Sequence, residues 1–187
     1  MKKQADIWIV VDISGSMKDE DKIGQAKKAA LAFLDKVEPQ NRVGLIAFNS
    51  NLTTLVDLDI LENNKATLKQ KINDLNADGG TALYDAIATA IEKFSNEKSN
   101  LSDRIRAVVL LTDGADTASQ KNKLNDLLRQ ITATHEDQNP IIVIPIAYGS
   151  TADVGTLGAI ARASTTKVQS GDPKNIGSIL QIISSFF

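Results

Sequence analysis

Apolar positions recur along the chain with two alternating periods, and that alternation predicts the fold. Ile7 to Val11 is an unbroken apolar run, as a strand buried on both faces requires. From Asp21 to Glu38, Ile23, Ala26, Ala30, Phe33, Leu34 and Val37 fall three or four apart, which predicts an amphipathic helix ended by Pro39. Arg42 to Phe48 reads as a second strand. Leu52 to Leu58, reached through polar Asn49-Ser50-Asn51, alternates and is more polar, which predicts an antiparallel edge strand. A short helix is expected over Lys65 to Leu75, on Leu68, Ile72 and Leu75. Gly79-Gly80 then interrupts the chain before a helix over Ala82 to Glu97, with Leu83, Ile87, Ala90, Ile91 and Phe94 on one face.

The second half repeats the theme. Ile105 to Leu111 is a fourth apolar strand, followed by a helix over Gln120 to Glu136 on Leu124, Leu127, Leu128 and Ile131. Ile141 to Ala147 is a fifth strand; Pro145 cannot donate a ladder hydrogen bond, so a bulge or strand end is expected there. A short helix over Ala152 to Ala163, a weak edge strand over Lys167 to Gln169, and a last helix from Lys174 with Ile176, Ile179, Leu180, Ile183 and Phe187 in one stripe complete the pattern. Such alternation implies right-handed crossovers and a three-layer, doubly wound, Rossmann-like α/β fold. Its sheet is mainly parallel, of about six strands with one antiparallel edge strand, and helices cover both faces.

Composition narrows the function. The 187 residues fit one domain, with 42% hydrophobic residues for a full core. No repeat, low-complexity stretch or internal linker divides residues 1–187, and the chain reads as one domain cut from a longer protein, with a small protein of natural size as the alternative. A net charge of -2 argues against a nucleic-acid binder. Cysteine is absent, which excludes disulfides and thiolate metal sites but does not fix the compartment. No apolar run approaches the roughly 18 residues of a membrane span. Met1-Lys2-Lys3 opens a poor signal peptide, because the apolar stretch after it stops at Asp12.

Chemistry concentrates where strands end. Asp12-Ile13-Ser14-Gly15-Ser16 follows the first strand, Asp78-Gly79-Gly80-Thr81 precedes a helix, and Leu111-Thr112-Asp113-Gly114 ends the fourth strand. In an open α/β sheet these loops meet beyond the carboxyl ends of the strands. In Asp-x-Ser-x-Ser, alternate residues of an extended segment point the same way, so Asp12, Ser14 and Ser16 can face one ion. Together with Thr81 and Asp113 they offer oxygen donors only, a set suited to a hard divalent cation such as Mg²⁺ or Mn²⁺.

Asp12-Ile13-Ser14-Gly15-Ser16-Met17, Gly80-Thr81-Ala82-Leu83-Tyr84-Asp85 and Leu111-Thr112-Asp113-Gly114, in that order, resemble the von Willebrand factor type A domain and its metal-ion-dependent adhesion site. The resemblance also takes in Arg42-Val43-Gly44-Leu45-Ile46-Ala47-Phe48 and Ile146-Ala147-Tyr148-Gly149, spans essentially the whole chain and looks closest to bacterial members. It implies a metal-dependent protein-interaction or adhesion module rather than an enzyme. The hydroxyls of Ser14, Ser16 and Thr81 would bind Mg²⁺ or Mn²⁺, with Ca²⁺ as an alternative. Asp12 and Asp113 would act directly or through water, and an open position would take a Glu or Asp carboxylate from a partner protein. The isolated domain is expected to be monomeric and, from its charge and apolar runs, neither to bind nucleic acid nor to insert in a membrane; the compartment of the parent protein stays open, with the cell surface or periplasm slightly favoured over the cytoplasm. In some members of that family the C-terminal helix, here Lys174 to Phe187, shifts on ligand binding; a fixed helix covering the sheet is the alternative.

Plainer roles stand beside these. Thr81 could cap the helix at Ala82. Asp85 could orient a metal-binding hydroxyl or simply be solvated, and Asp116 could lie on the site's rim or in a plain loop. Asp19-Glu20-Asp21 suits a helix start, His135 is expected to be solvated, and Trp8 to pack in the core. The competing classes are a Mg²⁺-dependent hydrolase or phosphotransferase and a structural domain without an active metal site. Against the first, the sequence holds no P-loop motif, no Gly-x-Ser-x-Gly elbow and a single histidine, and a second carboxylate two residues after Asp12 is replaced by Ser14.

Overall fold

The computed structural model describes residues 4–96, 104–114, 116–136, 140–150, 152–171, 178–179 and 181–182. One sheet runs in the order β3-β2-β1-β4-β5-β6. Its strands are β1 (Ala5–Asp12), β2 (Arg42–Phe48), β3 (Leu52–Ile60), β4 (Ile105–Thr112), β5 (Ile141–Ala147) and β6 (Gln169–Ser170). β1 pairs in parallel with β2 and β4, β5 pairs in parallel with β4 and β6, and only β3 runs antiparallel, at the edge. Alternation along β1 explains the continuous apolar run. Ile7, Ile9 and Val11 enter one core with α1 (Lys22–Lys36) and α2 (Leu61–Asn73), whereas Trp8 and Val10 enter another with α3 (Leu83–Ser95), α4 (Leu124–Glu136) and α5 (Val154–Ala163). The sheet is therefore covered on both faces, as the apolar strands require.

Most expected elements are present with shifted ends. α2 starts at Leu61 rather than Lys65, because the N–H groups of Leu61 and Glu62 find acceptors outside the helix, at the carbonyls of Asn41 and Pro39. α4 starts at Leu124 rather than Gln120, since Gln120 to Asn122 bend around the Asp85 carboxylate. The weak edge strand is β6, shifted to Gln169–Ser170. Of the last helix, residues 178–179 and 181–182 are helical and Ile179 is buried in the α1 core. Lys174, Ile176, Leu180, Ile183 and Phe187, like Glu97, lie outside the described residues.

The bulge expected at Pro145 does not occur: Pro145 pairs with Leu110 in an unbroken β4–β5 register. Val143, two residues earlier and of the same orientation, sends its N–H to Ser164 Oγ and receives the Thr166 hydroxyl on its carbonyl. Pro145 turns its missing donor to that same side, away from β4, and so costs the ladder no bond.

Candidate functional site

β1 and β4 are neighbours at which the strand order reverses, and their carboxyl ends deliver Asp12 and Asp113 to one place. Backbone hydrogen bonds then bind the loops there. Gly15 N–H donates to Gly79 O at 2.9 Å and Asp78 N–H to Ile13 O at 2.8 Å, which joins the Ser14–Ser16 loop to the Thr81 loop. Ile13 N–H donates to Phe48 O and Ala82 N–H to Asn49 O, adding the end of β2. The N–H groups of Thr117 and Ala118 both donate to Thr81 O, while Thr81 N–H donates to Thr117 Oγ1. Thr81 is thus fixed through its backbone between the β1 and β4 loops.

Three of the expected donors form a chain of oxygens: Ser14 Oγ lies 3.1 Å from Ser16 Oγ, and Ser16 Oγ donates to Asp113 Oδ2 at 2.5 Å. Asp12 is fully buried, accepting from Ser14 N–H at Oδ1 (2.8 Å) and from the Thr112 hydroxyl at Oδ2 (2.7 Å). Burial pushes the Asp12 carboxyl up to about 6; bonds from Ser14 and Thr112 pull it down, and the Asp113 charge adds to the rise. Two buried acids whose charges are felt by one another call for positive charge nearby.

Part of that charge comes from a residue the sequence reading passed over. Lys22, only 4% exposed, sets its Nζ 3.4 Å from Asp113 Oδ2. Its one advance signal was a lysine at a helix start, where acidic residues are favoured. Thr112, fully buried, was also missed; it holds Asp12 and receives Gly114 N–H at 2.9 Å. A polar residue closing an apolar strand just before Asp113 was the available hint.

Other expected roles change. Thr81 does not cap α3: Ala82 holds that position, and the first N–H groups of the helix are met by the next loop, Tyr84 by Asp116 Oδ1 and Asp85 by Ser119 Oγ. Asp85 orients no site hydroxyl. It accepts from the N–H groups of Gln120, Lys121 and Asn122 and from the Asn122 side chain, and so anchors the 116–123 loop. His135 is not merely solvated; its Nε2 lies 3.2 Å from Ile141 O. Trp8 is core, with Lys93 Nζ 5.4 Å from its ring centre. Asp21 starts α1 without a side-chain cap bond, and both it and Glu20 have positive φ, 53° and 56°.

The spacing of these oxygens compares with that of ligands around a small hard cation. Oxygens about 2.0–2.1 Å from Mg²⁺ in an octahedron lie about 2.9 Å apart. The 3.1 Å between Ser14 and Ser16 approaches that edge length. Among the described residues no group of three or more His, Asp or Glu side chains is placed to hold a metal. No helix among the described residues is long and apolar enough to cross a membrane.

The profile of the von Willebrand factor type A domain matches residues 6–182. Bovine calcium-activated chloride channel regulator 1 is 29% identical over 157 residues, 80% of this chain and 16% of that protein. An uncharacterized protein of Synechocystis is 28% identical over 158 residues, 84% of this chain and 35% of that protein. The chain therefore spans a minor part of the length of these relatives. Among solved structures, a von Willebrand factor type A protein from Catenulispora acidiphila superposes with a TM-score of 0.77 at 22% identity, covering 98% of this chain and 42% of that one. Manganese-loaded TRAP from Plasmodium vivax gives 0.73 at 18%, covering 97% and 73%. The pilus adhesin SpaC from Lactobacillus rhamnosus GG gives 0.70 at 16%, covering 98% and 30%. Strand order, covered sheet and profile agree: this chain belongs to the von Willebrand factor type A domain family.

Proposed function

We propose that this domain is a metal-dependent protein-interaction and adhesion module, in which Asp12, Ser14, Ser16, Thr81 and Asp113 hold Mg²⁺ or Mn²⁺. The observation that carries the reading is the oxygen chain Ser14–Ser16–Asp113 at the β1–β4 switch point, a donor set of hydroxyls and one carboxylate with no nitrogen or sulfur. Such a set leaves much of a divalent charge unneutralised. The ion's role when bound is to offer an open position to an anionic oxygen, and a Glu or Asp carboxylate of a partner protein is the group it would favour. The manganese-loaded state of the TRAP neighbour supports the choice of ion, and the adhesin neighbour supports a cell-surface or periplasmic parent protein. The partial coverage of the relatives supports a module within a longer chain. Binding without turnover is the expected chemistry, since Asp12 is enclosed by Ser14 and Thr112 rather than exposed as a nucleophile.

Calorimetric titration with Mg²⁺ and Mn²⁺ of the wild type and of Asp12→Ala tests the assignment. The wild type should bind and the variant should lose at least about ten-fold in affinity, as loss of one directly or indirectly bound carboxylate implies. Equal affinity in both would remove Asp12 from the site. A fluorescent acidic peptide should then bind the wild type in Mn²⁺ and be released by EDTA.

A further inference from the structure

Lys22 makes a costly choice of position. It opens α1, where its charge faces the positive end of the helix dipole. It is nearly inaccessible to water, and its ammonium lies 3.4 Å from Asp113 Oδ2, itself largely buried. The fold makes room for it: Gly149, at φ +87°, passes so near that a Cβ there would fall 2.4 Å from Lys22 Cε. Asp113 does not need Lys22 to stay in place. Its Oδ2 is already bound by the Ser16 hydroxyl, and its backbone carbonyl receives Asp153 N–H at 3.1 Å.

We propose that Lys22 is a tethered cation that competes with the divalent ion for Asp113 and thereby sets how tightly that ion is held. This rests on the metal-binding reading above. Asp12 and Asp113 carry a formal charge of -2, which Lys22 reduces to -1. An incoming divalent ion meets a less negative site and a like charge close to one of its own donors. Once seated beside Lys22, it leaves the site more positive than the acids and the ion alone would, which favours an anionic partner. Weak resident binding and strong partner capture thus follow from the same ammonium.

The test is Mn²⁺ titration of the wild type, Lys22→Met and Lys22→Gln, with far-UV circular dichroism to verify folding. Met keeps the length of the stem without charge, and Gln retains a donor toward Asp113. Both variants should bind Mn²⁺ more tightly, on the order of ten-fold or more, because a like charge a few ångströms away acts strongly in a buried setting. Equal or weaker binding in the variants, with the wild type binding, would overturn this inference and leave the metal site standing. No Mn²⁺ binding by any of the three would overturn both. Thermal melting gives a second measure that tolerates weakened folds. In chelator the variants should melt below the wild type, since Asp113 loses its partner, and saturating Mn²⁺ should narrow that gap. A gap unchanged by Mn²⁺ would count against the competition.

Discussion

The hydroxyl of Thr112 shows how a single group supports the site without belonging to it. It donates to Asp12 Oδ2 and accepts from Gly114 N–H, so it fixes both the first acid and the turn after the second. Thr112→Val keeps the shape and removes both bonds. The buried Asp12 oxygen would then lack a donor, at a cost of about 1–3 kcal/mol. Thermal denaturation should record this as a lower melting temperature, by about 2–4 °C per kcal/mol for a chain of this size. That Ser14, Ser16 and Asp113 meet at one sheet edge was readable in advance, because their residue types and positions at strand ends point there. Thr112 and Lys22 were not, because their partners are 100 and 91 residues away in sequence and only the β1–β4–α1 packing joins them.

At the level of elements, the site is surrounded by helices whose starts depend on other segments. α3 takes its first acceptors from Asp116 and Ser119, and Asp85 of α3 in return holds the backbone leading into α4. Local sequence rules look for a cap beside its own helix, which is why the starts of α2 and α4 were misplaced while the apolar strands were found within a few residues. Asp85→Ala should release the loop, costing about 1–2 kcal/mol after allowance for partial exposure, and should speed amide exchange at Gln120, Lys121 and Asn122. Acid should expose the same link. Partial burial pushes Asp85 up, but the N–H and Asn122 donors outweigh it and hold the carboxyl below its usual value. A depressed folded value means that its stabilisation is complete above the unfolded pKa of about 3.9 and drains away as pH falls through the folded one. The stability difference between the wild type and Asp85→Asn, measured by urea denaturation, should therefore shrink as pH falls below about 4.

For the whole molecule, the two cores flanking the sheet put folding and binding under separate control. The candidate donors lie at strand ends and on loops along the sheet's carboxyl edge, while the buried apolar side chains fill both faces beneath them. The domain should therefore fold without metal, unlike small domains nucleated by an ion. Far-UV circular dichroism should be unchanged by EDTA, and loss of helical signal would contradict this. Layer order and strand direction followed from the alternation of apolar runs, and β3 was recognisable as an edge strand from its polarity. That same strand bears on behaviour in crowded solution. A sheet is vulnerable along its outermost strands, where open backbone groups can recruit another chain and seed a growing ribbon. Here one margin carries Thr53, Thr54, Asp57 and Asp59 facing solvent and is kinked where its register slips beside Val43 and Leu45, while the other is only Gln169–Ser170. Among the described residues neither margin offers a long, flat, apolar template, so the domain is poorly suited to stacking on itself.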